Sequence, residues 1–143
     1  MTDDLRGLRP QHPSLYQLAA DGHSLEFLYA QCPSCGRLAF PANVPGCGHC
    51  GDPLQQARIV ARPGSATLLE FVTLHVPLLP GLETPRIAGD IRIADGVVEE
   101  GVIAVSDESQ LHAGMELCAV AVPLPSGEEF TCRFVPALQG GAA

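Results

Sequence analysis

The sequence predicts a mostly β protein in which a short N-terminal helix and a small cysteine-rich module precede a five-stranded barrel of the OB type. Two observations carry this prediction. Fifteen glycines and thirteen prolines are spread along 143 residues, which is typical of many short elements joined by turns. From about residue 57 onward, runs of β-branched and other apolar residues recur between turn signals. A chain of this length supports one domain with a small appendage.

The N-terminal segment, residues 1–24, contains the stretch "HPSLYQLAADG", which predicts one short amphipathic helix. Pro13 stands near the helix start, Leu15 and Leu18 follow at helical spacing, and Gly22 marks the stop. The next stretch, "LEFLYAQ", alternates between two faces as a β-strand does. We therefore expect a helix followed by a strand that leads into the first cysteines.

The barrel is assigned to residues 57–138, with a disordered tail at 139–143. Five runs predict its strands: 65–76, 86–94, 97–105, 115–124 and 128–136. Asp95-Gly96 and Ser126-Gly127 separate neighbouring runs and favour tight hairpins. Between the third and fourth strands, "DESQLHAG" predicts a short helix or turn. Five antiparallel strands with an insertion after the third match the OB-fold, although a five-stranded sandwich fits the same pattern.

Four of the six cysteines lie in the module between these segments, residues 25–56. They form two Cys-x-x-Cys pairs, Cys32 with Cys35 and Cys47 with Cys50, and a glycine directly follows each pair. Two such turns brought together supply four thiolates in a tetrahedron, the geometry that Zn²⁺ accepts at about 2.3 Å per Zn–S bond. We therefore predict a rubredoxin-like zinc ribbon in which these cysteines hold a structural Zn²⁺ ion.

Other uses of these cysteines are less consistent with their pattern. A closed four-sulfur site leaves no position for water or substrate, so it does not perform Lewis-acid chemistry. Iron accepts the same ligands, and the sequence does not separate the two metals. Thioredoxin-like chemistry needs one exposed pair at a helix start. His49 lies inside the second pair, but four sulfurs already complete a site, so we interpret His49 as a filler residue.

The charge balance weakens several classes of function. The formal net charge is -8, and all eight basic residues are arginine. Nucleic-acid binding draws much of its affinity from basic residues, so we expect none here. No window offers the roughly 18 apolar residues of a membrane span, and the N-terminal residues lack the apolar run of a secretory signal. We expect a cytoplasmic protein, where reducing conditions favour metal binding over disulfides.

The sequence assigns no catalytic residue. Cys118 and Cys132 fall within predicted strands among apolar neighbours, which is typical of buried thiols, although a thiol nucleophile is the alternative interpretation. The sequence contains no phosphate-binding glycine loop, nucleophile elbow or zinc-protease motif. We therefore predict that this chain is non-catalytic.

The ordered set of motifs resembles the Zn-ribbon/OB-fold family known as domain of unknown function 35, which is associated with acyl-CoA. The resemblance rests on "HPSLYQLAADG", "CPSCGRLAFP", "CGHCG", "GSATLLEFVTLHVP", "LHAGMEL" and "CRFVPA". It implies an accessory subunit that forms a hetero-oligomer with a thiolase- or ketoacyl-synthase-like enzyme. That enzyme would perform thiolytic cleavage or C-acyl transfer on acyl-CoA or acyl substrates. A partner of an acyl-CoA hydratase or aldolase, and a free-standing nucleic-acid-binding OB-fold, are the alternatives.

The resemblance also implies roles for the two parts of the chain. The ribbon would dock on the partner through the fold that its four cysteines hold, and the barrel would help shape the acyl channel. The loop that begins at residue 76 is a candidate lining of that channel, with an ordinary connector as the alternative. Its candidate residues are Val76, Leu78, Leu79, Leu82 and Arg86. Arg86 stands where many relatives carry an aromatic residue; Arg86, Arg92 or Arg133 would meet the phosphates of CoA, unless the partner holds them.

Overall fold

The computed structural model describes residues 5–77, 80 and 84–137. The chain divides into two compact units. The ribbon unit comprises the chain up to Gly64 together with Ala121–Thr131, and the barrel unit comprises Ser65–Val120 together with the chain from Cys132 onward. The predicted tail at 139–143 lies outside the described residues. The strands are β1 (Arg9–Pro10), β2 (Tyr16–Leu18), β3 (Leu25–Gln31), β4 (Leu38–Ala39), β5 (Arg58–Pro63), β6 (Ser65–Leu74), β7 (Arg86–Ala94), β8 (Val97–Ile103), β9 (Glu116–Pro123) and β10 (Glu129–Pro136).

In the ribbon unit, β3 is the central strand of a small antiparallel sheet. It pairs with β2, β4 and β5. The predicted alternation is confirmed, because Leu25, Phe27 and Tyr29 are buried on one face. The pairing of β5 with β3 runs over six residue pairs, a strand that the sequence did not reveal because arginines and Pro63 interrupt its apolar residues. The strand β4, which also pairs with β3, is only two residues long.

The helix predicted from "HPSLYQLAADG" is wrong. The backbone N–H of Leu15 donates to the carbonyl oxygen of His12 at 3.0 Å in a turn, and the chain then enters β2. Pairing with β3 places Tyr16 opposite Phe27 and leaves the Tyr16 side chain 3% exposed. A few apolar residues at helical spacing bury little area, whereas the sheet satisfies the backbone groups and buries a tyrosine. Tertiary pairing therefore overrode the local pattern.

The barrel strands follow the predicted runs closely. β1 pairs with the start of β10, and the order of the other strands in this sheet is β10-β8-β7-β6-β9. Pairing of β9 with β10 closes these five strands into a barrel. The β8–β10 pair is parallel. The pairs β6–β7, β7–β8 and β6–β9 are antiparallel. This order is that of an OB-fold, so the sandwich alternative is excluded. Leu68, Ile91 and Leu117 are fully buried.

The helical structure of the described residues is one 3₁₀ turn, Glu108–Gln110, between β8 and β9. Asp107 caps it, because its side chain accepts from the backbone N–H of Ser109 at 2.9 Å. The sequence predicted a short helix or turn at this place, which is confirmed. No helix within the described ranges has the length and apolar character that a bilayer crossing needs.

A tight turn before β3 gives a pH-dependent prediction. One carboxylate oxygen of Asp21 accepts from the backbone N–H groups of His23 and Ser24, at 2.9 and 2.7 Å. The hydroxyl of Ser24, followed by these N–H groups, lowers the pKa of Asp21 to about 2. Because the folded-state pKa is depressed, the stabilisation is present above pH 4 and is lost as the pH falls towards 2.

We expect Asp21→Ala to lower the free energy of unfolding by about 1 kcal/mol at pH 7, a value reduced for the exposure of this side chain. Urea unfolding of both proteins between pH 7 and pH 3 measures the difference. Asp21→Asn is the matched control, since it keeps an acceptor oxygen without the charge and should recover part of the loss. A difference that is the same at all pH values would contradict the role of the charge.

Candidate metal centre

The two cysteine pairs lie at the tips of two turns with the same backbone geometry. In the first turn, the N–H of Gly36 donates to the carbonyl of Cys32 at 2.9 Å. In the second turn, the N–H of Gly51 donates to the carbonyl of Cys47 at 2.8 Å. Gly36 and Gly51 have φ angles of 78° and 84°, in the left-handed region that favours glycine. The glycine after each pair is therefore what lets each turn close beneath its sulfurs.

The four sulfurs converge on one point. All four Sγ atoms lie within 4.8 Å of one another. Sγ of Cys32 is 3.6 Å from Sγ of Cys50, and Sγ of Cys35 is 3.7 Å from Sγ of Cys47. A tetrahedron with Zn–S bonds of about 2.3 Å has sulfur–sulfur edges of about 3.8 Å. The residues present fit a four-thiolate zinc ion, and the cofactor prediction is confirmed.

Backbone N–H groups donate hydrogen bonds to the cysteine sulfurs and so favour their thiolate form, which binds a cation. The N–H of Cys50, and then that of His49 at 3.4 Å, lower the pKa of Cys47 to about 6. The N–H of Asp52 donates to the Cys50 sulfur, but desolvation and the neighbouring sulfurs outweigh it and raise the pKa of Cys50 to about 12. Four thiolates this close repel one another, so they share ionisation until a metal supplies positive charge. The cluster is therefore a metal site rather than a set of independent thiols.

The surroundings of the sulfurs are small and partly open. Cys32 and Cys47 are buried, whereas Cys35 and Cys50 are exposed. The cluster packed around the buried pair consists of Ala30, Ala39 and Leu54, with other small side chains at its edge. Little apolar area is available here, so a bound ion would supply most of the stabilisation of this segment.

His49 belongs to the second turn, but its ring nitrogens are not part of the four-sulfur group. Its ring atom Nδ1 lies 3.3 Å from the guanidinium of Arg37. Within the described residues, the group that could hold a metal consists of the four cysteines. The histidine thus contributes its backbone N–H to the site, and its ring contacts an arginine of the first turn.

The comparison with protein families separates this site from other four-cysteine sites. A family model described as "ChsH2, rubredoxin-like zinc ribbon domain" matches residues 24–54. Residues 24–54 are therefore similar to the rubredoxin-like zinc ribbon of ChsH2. The match covers the whole ChsH2-type ribbon, from the strand before the first cysteine to Leu54 beyond the last, and no curated protein matches the chain.

A solved structure shares the fold around this ChsH2-type ribbon. The chain described as "Ltp2-ChsH2(DUF35) aldolase" superposes with a TM-score of 0.62 at 22% sequence identity. The alignment covers 79% of this chain and 86% of that chain. The family model and this shared fold together confirm the resemblance to the Zn-ribbon/OB-fold family.

Of the predicted channel residues, Val76 and Arg86 are described by the structure and belong to the barrel unit. Leu78, Leu79 and Leu82 lie outside the described residues. Val76 is 69% exposed. Arg86 lines a cleft of about 330 Å³ together with Arg133, which the sequence also offered for the CoA phosphates. The sequence did not point to the remaining lining residues, which include Thr73, His75, Ser106, Asp107 and Glu108.

The two remaining cysteines lie in the barrel strands β9 and β10. Both are partly buried, as thiols that serve as small hydrophobic residues are. Desolvation raises the pKa of Cys132 to about 12, against the opposing charge of Arg133. A thiol with this pKa is protonated at neutral pH and is a weak nucleophile.

Proposed function

We propose that this chain is a non-catalytic, zinc-binding accessory subunit of a cytoplasmic enzyme that makes or breaks a carbon–carbon bond beside an acyl or acyl-CoA thioester. The carrying observation is the closed four-sulfur centre, which has no coordination position for substrate. A metal in such a site stabilises the fold of the ribbon and does not bind substrate. The reaction then takes place on a partner, and the chain acts within a hetero-oligomer.

The first candidate partner is a thiolase- or ketoacyl-synthase-like enzyme, which performs thiolytic cleavage or C-acyl transfer. The solved structure with the shared fold is described as an aldolase, and this favours an aldolase as the second candidate. Both candidates act on a carbon next to a thioester carbonyl. The chemistry that the proposal requires of the partner is the same in either case.

The cleft in the barrel unit is the candidate contact with substrate. Its volume of about 330 Å³ is at the small end of ligand pockets, so it holds only part of an acyl-CoA molecule. Arg86 and Arg133 supply positive charge, and the hydroxyl of Thr73 is buried there without a hydrogen-bond partner among the described residues. The negative charges of Asp107 and Glu108 offset the positive charge of the two arginines. We therefore propose that the partner binds most of the CoA phosphates. Val76, Leu78, Leu79 and Leu82 complete the proposed channel.

Co-purification from the native host, followed by mass spectrometry, tests this proposal. We expect an enzyme of the thiolase or aldolase type to accompany the chain. The reconstituted complex should turn over acyl thioesters at least tenfold faster than the partner alone, and the isolated chain should be inactive. Arg86→Ala should lower kcat/KM of the complex at full zinc content, and Cys132→Ala should leave turnover unchanged.

Two results would overturn the proposal. The first is turnover by the isolated chain at an enzyme-like rate, about 1 s⁻¹ or more. The second is tight, salt-sensitive binding of single-stranded oligonucleotides, which would indicate a free-standing nucleic-acid-binding barrel.

A further inference from the structure

Three carboxylates form a row across adjacent strands of the barrel unit. Glu70 on β6 pairs directly with Asp90 on β7, and Asp90 pairs directly with Glu100 on β8. Directly opposed residues in antiparallel strands project their side chains on the same face, with Cβ atoms about 5 Å apart. We call Glu70, Asp90 and Glu100 the acidic row. Like charges in this arrangement destabilise a sheet, so the row carries a cost in the isolated chain.

The acidic row has no counter-charge of its own. Among the residues that the structure describes, none of its three carboxylates has an ion-pair or hydrogen-bond partner. Arg92 is two residues from Asp90 on the same strand, yet it forms no ion pair with the row. A basic side chain from a partner would therefore find the three carboxylates unpaired, with Arg92 as the neighbouring charge that opposes it.

Exposed apolar side chains border the acidic row on both sides. In the adjacent rung Val72 pairs with Ala88, and on the other side Val98 pairs with Arg92. The side chains of Val72 and Val98 are 56% and 49% exposed. These two valines add apolar contact area on both sides of the unpaired carboxylates.

A shallow depression joins the charged and apolar parts of this face. It has a volume of about 160 Å³, and its lining includes the acidic row, Val72 and Ala88. This is room for one long side chain. Lysine and arginine combine an apolar stem with a cationic end, so their chemistry matches a depression with an apolar side and an acidic side.

We propose that this outer face of β6, β7 and β8 docks a segment of a partner protein that presents a lysine or arginine flanked by apolar residues. A metal ion is a poorer occupant, because the group of described residues able to hold one is the four cysteines. Nucleic acid carries the same sign of charge as the row. The identity of the partner as the enzyme subunit rests on the proposed function, whereas its basic and apolar character rests on this face alone.

Site-specific cross-linking in the native host tests the proposal. A photo-reactive phenylalanine replaces Val72 or Val98 in the full-length chain, and the cross-linked peptides are identified by mass spectrometry. Ile59, which is 59% exposed on β5 of the ribbon unit, is the matched control position. We expect cross-links from Val72 and Val98 to one partner segment that contains lysine or arginine beside apolar residues.

A charge-neutral variant supplies the second measurement. The triple substitution Glu70→Gln, Asp90→Asn and Glu100→Gln keeps the shape of the acidic row and should weaken binding of the purified partner by about 30-fold at low salt. High salt should weaken the wild-type complex in the same direction and affect the variant less. The variant alone should unfold at a higher temperature than the wild type, because the repulsion is gone.

The possible outcomes separate this inference from the proposed function. If the triple variant binds the enzyme as tightly as the wild type, the docking face is wrong and the proposed function stands. If Val72 and Val98 cross-link to a basic segment of a protein that is not an enzyme, the docking face stands and the proposed function fails. The absence of cross-links from Val72 and Val98 overturns the docking face, whatever Ile59 contacts.

Discussion

Cys47→Ser is expected to remove zinc from the protein and to unfold the ribbon. Zinc binding by four thiolates contributes on the order of 10 kcal/mol or more to the folding of small zinc domains. Loss of one of four ligands should therefore weaken zinc binding by at least about a hundredfold. Cys47 is buried, and it accepts a hydrogen bond from the backbone of its own turn, so a neighbouring group cannot easily replace it.

The ribbon has little else to hold it together. The buried cluster around Cys32 and Cys47 contains two alanines and one leucine, and the burial of such side chains contributes only a few kcal/mol. The segment covered by the ribbon-family match, residues 24–54, should then lose protection against hydrogen exchange once zinc has gone. Treatment of the wild type with a chelator should give the same result.

Zinc content after dialysis and hydrogen exchange by mass spectrometry measure this prediction. Cys132→Ala is the matched control, since it removes a thiol in β10 that takes no part in the metal site. The control should keep one zinc per chain and full protection. Unchanged protection of residues 24–54 in metal-free protein would show that the hairpins fold without an ion.

Gly89→Ala is expected to destabilise the barrel more than any surface change. A Cβ atom at position 89 would lie 2.8 Å from the carbonyl oxygen of Glu70 and 2.9 Å from Cδ1 of Leu68. The first contact is with backbone that β6 and β7 hold in a paired ladder, so it cannot move away without breaking hydrogen bonds. Overpacking of this kind costs about 2–3 kcal/mol, which lowers Tm by about 5–10 °C in a chain of this size.

Thermal unfolding of the zinc-loaded proteins measures this effect. Gly7→Ala is the control, because a Cβ atom there would meet nothing within 4 Å. Its Tm should stay close to that of the wild type. A Tm of Gly89→Ala equal to that of Gly7→Ala would mean that β6 and β7 are not packed as closely as the closed barrel requires.

The positions of the barrel strands follow from the sequence because their patterns are local. Apolar runs bounded by Asp95-Gly96 and by Ser126-Gly127 predict strands whose observed ends differ by only a few residues. The zinc ligands follow from spacing alone, because two Cys-x-x-Cys turns brought together supply the four thiolates of a tetrahedral site. Composition and short-range pattern were therefore sufficient for the fold class and for the four cysteine ligands, whereas they did not separate zinc from iron.

Pairing between distant segments was decided only by the tertiary structure. The segment around Tyr16 has helical spacing, yet it became a strand because β3 offers an edge and a place for that ring. In the same way, Glu70, Asp90 and Glu100 are scattered acids in the sequence and become one row through the register of three strands. Register depends on contacts across the sheet, which no local period encodes. The sequence alone thus determined the four metal ligands and the barrel strands, and the folded sheets determined which side chains meet.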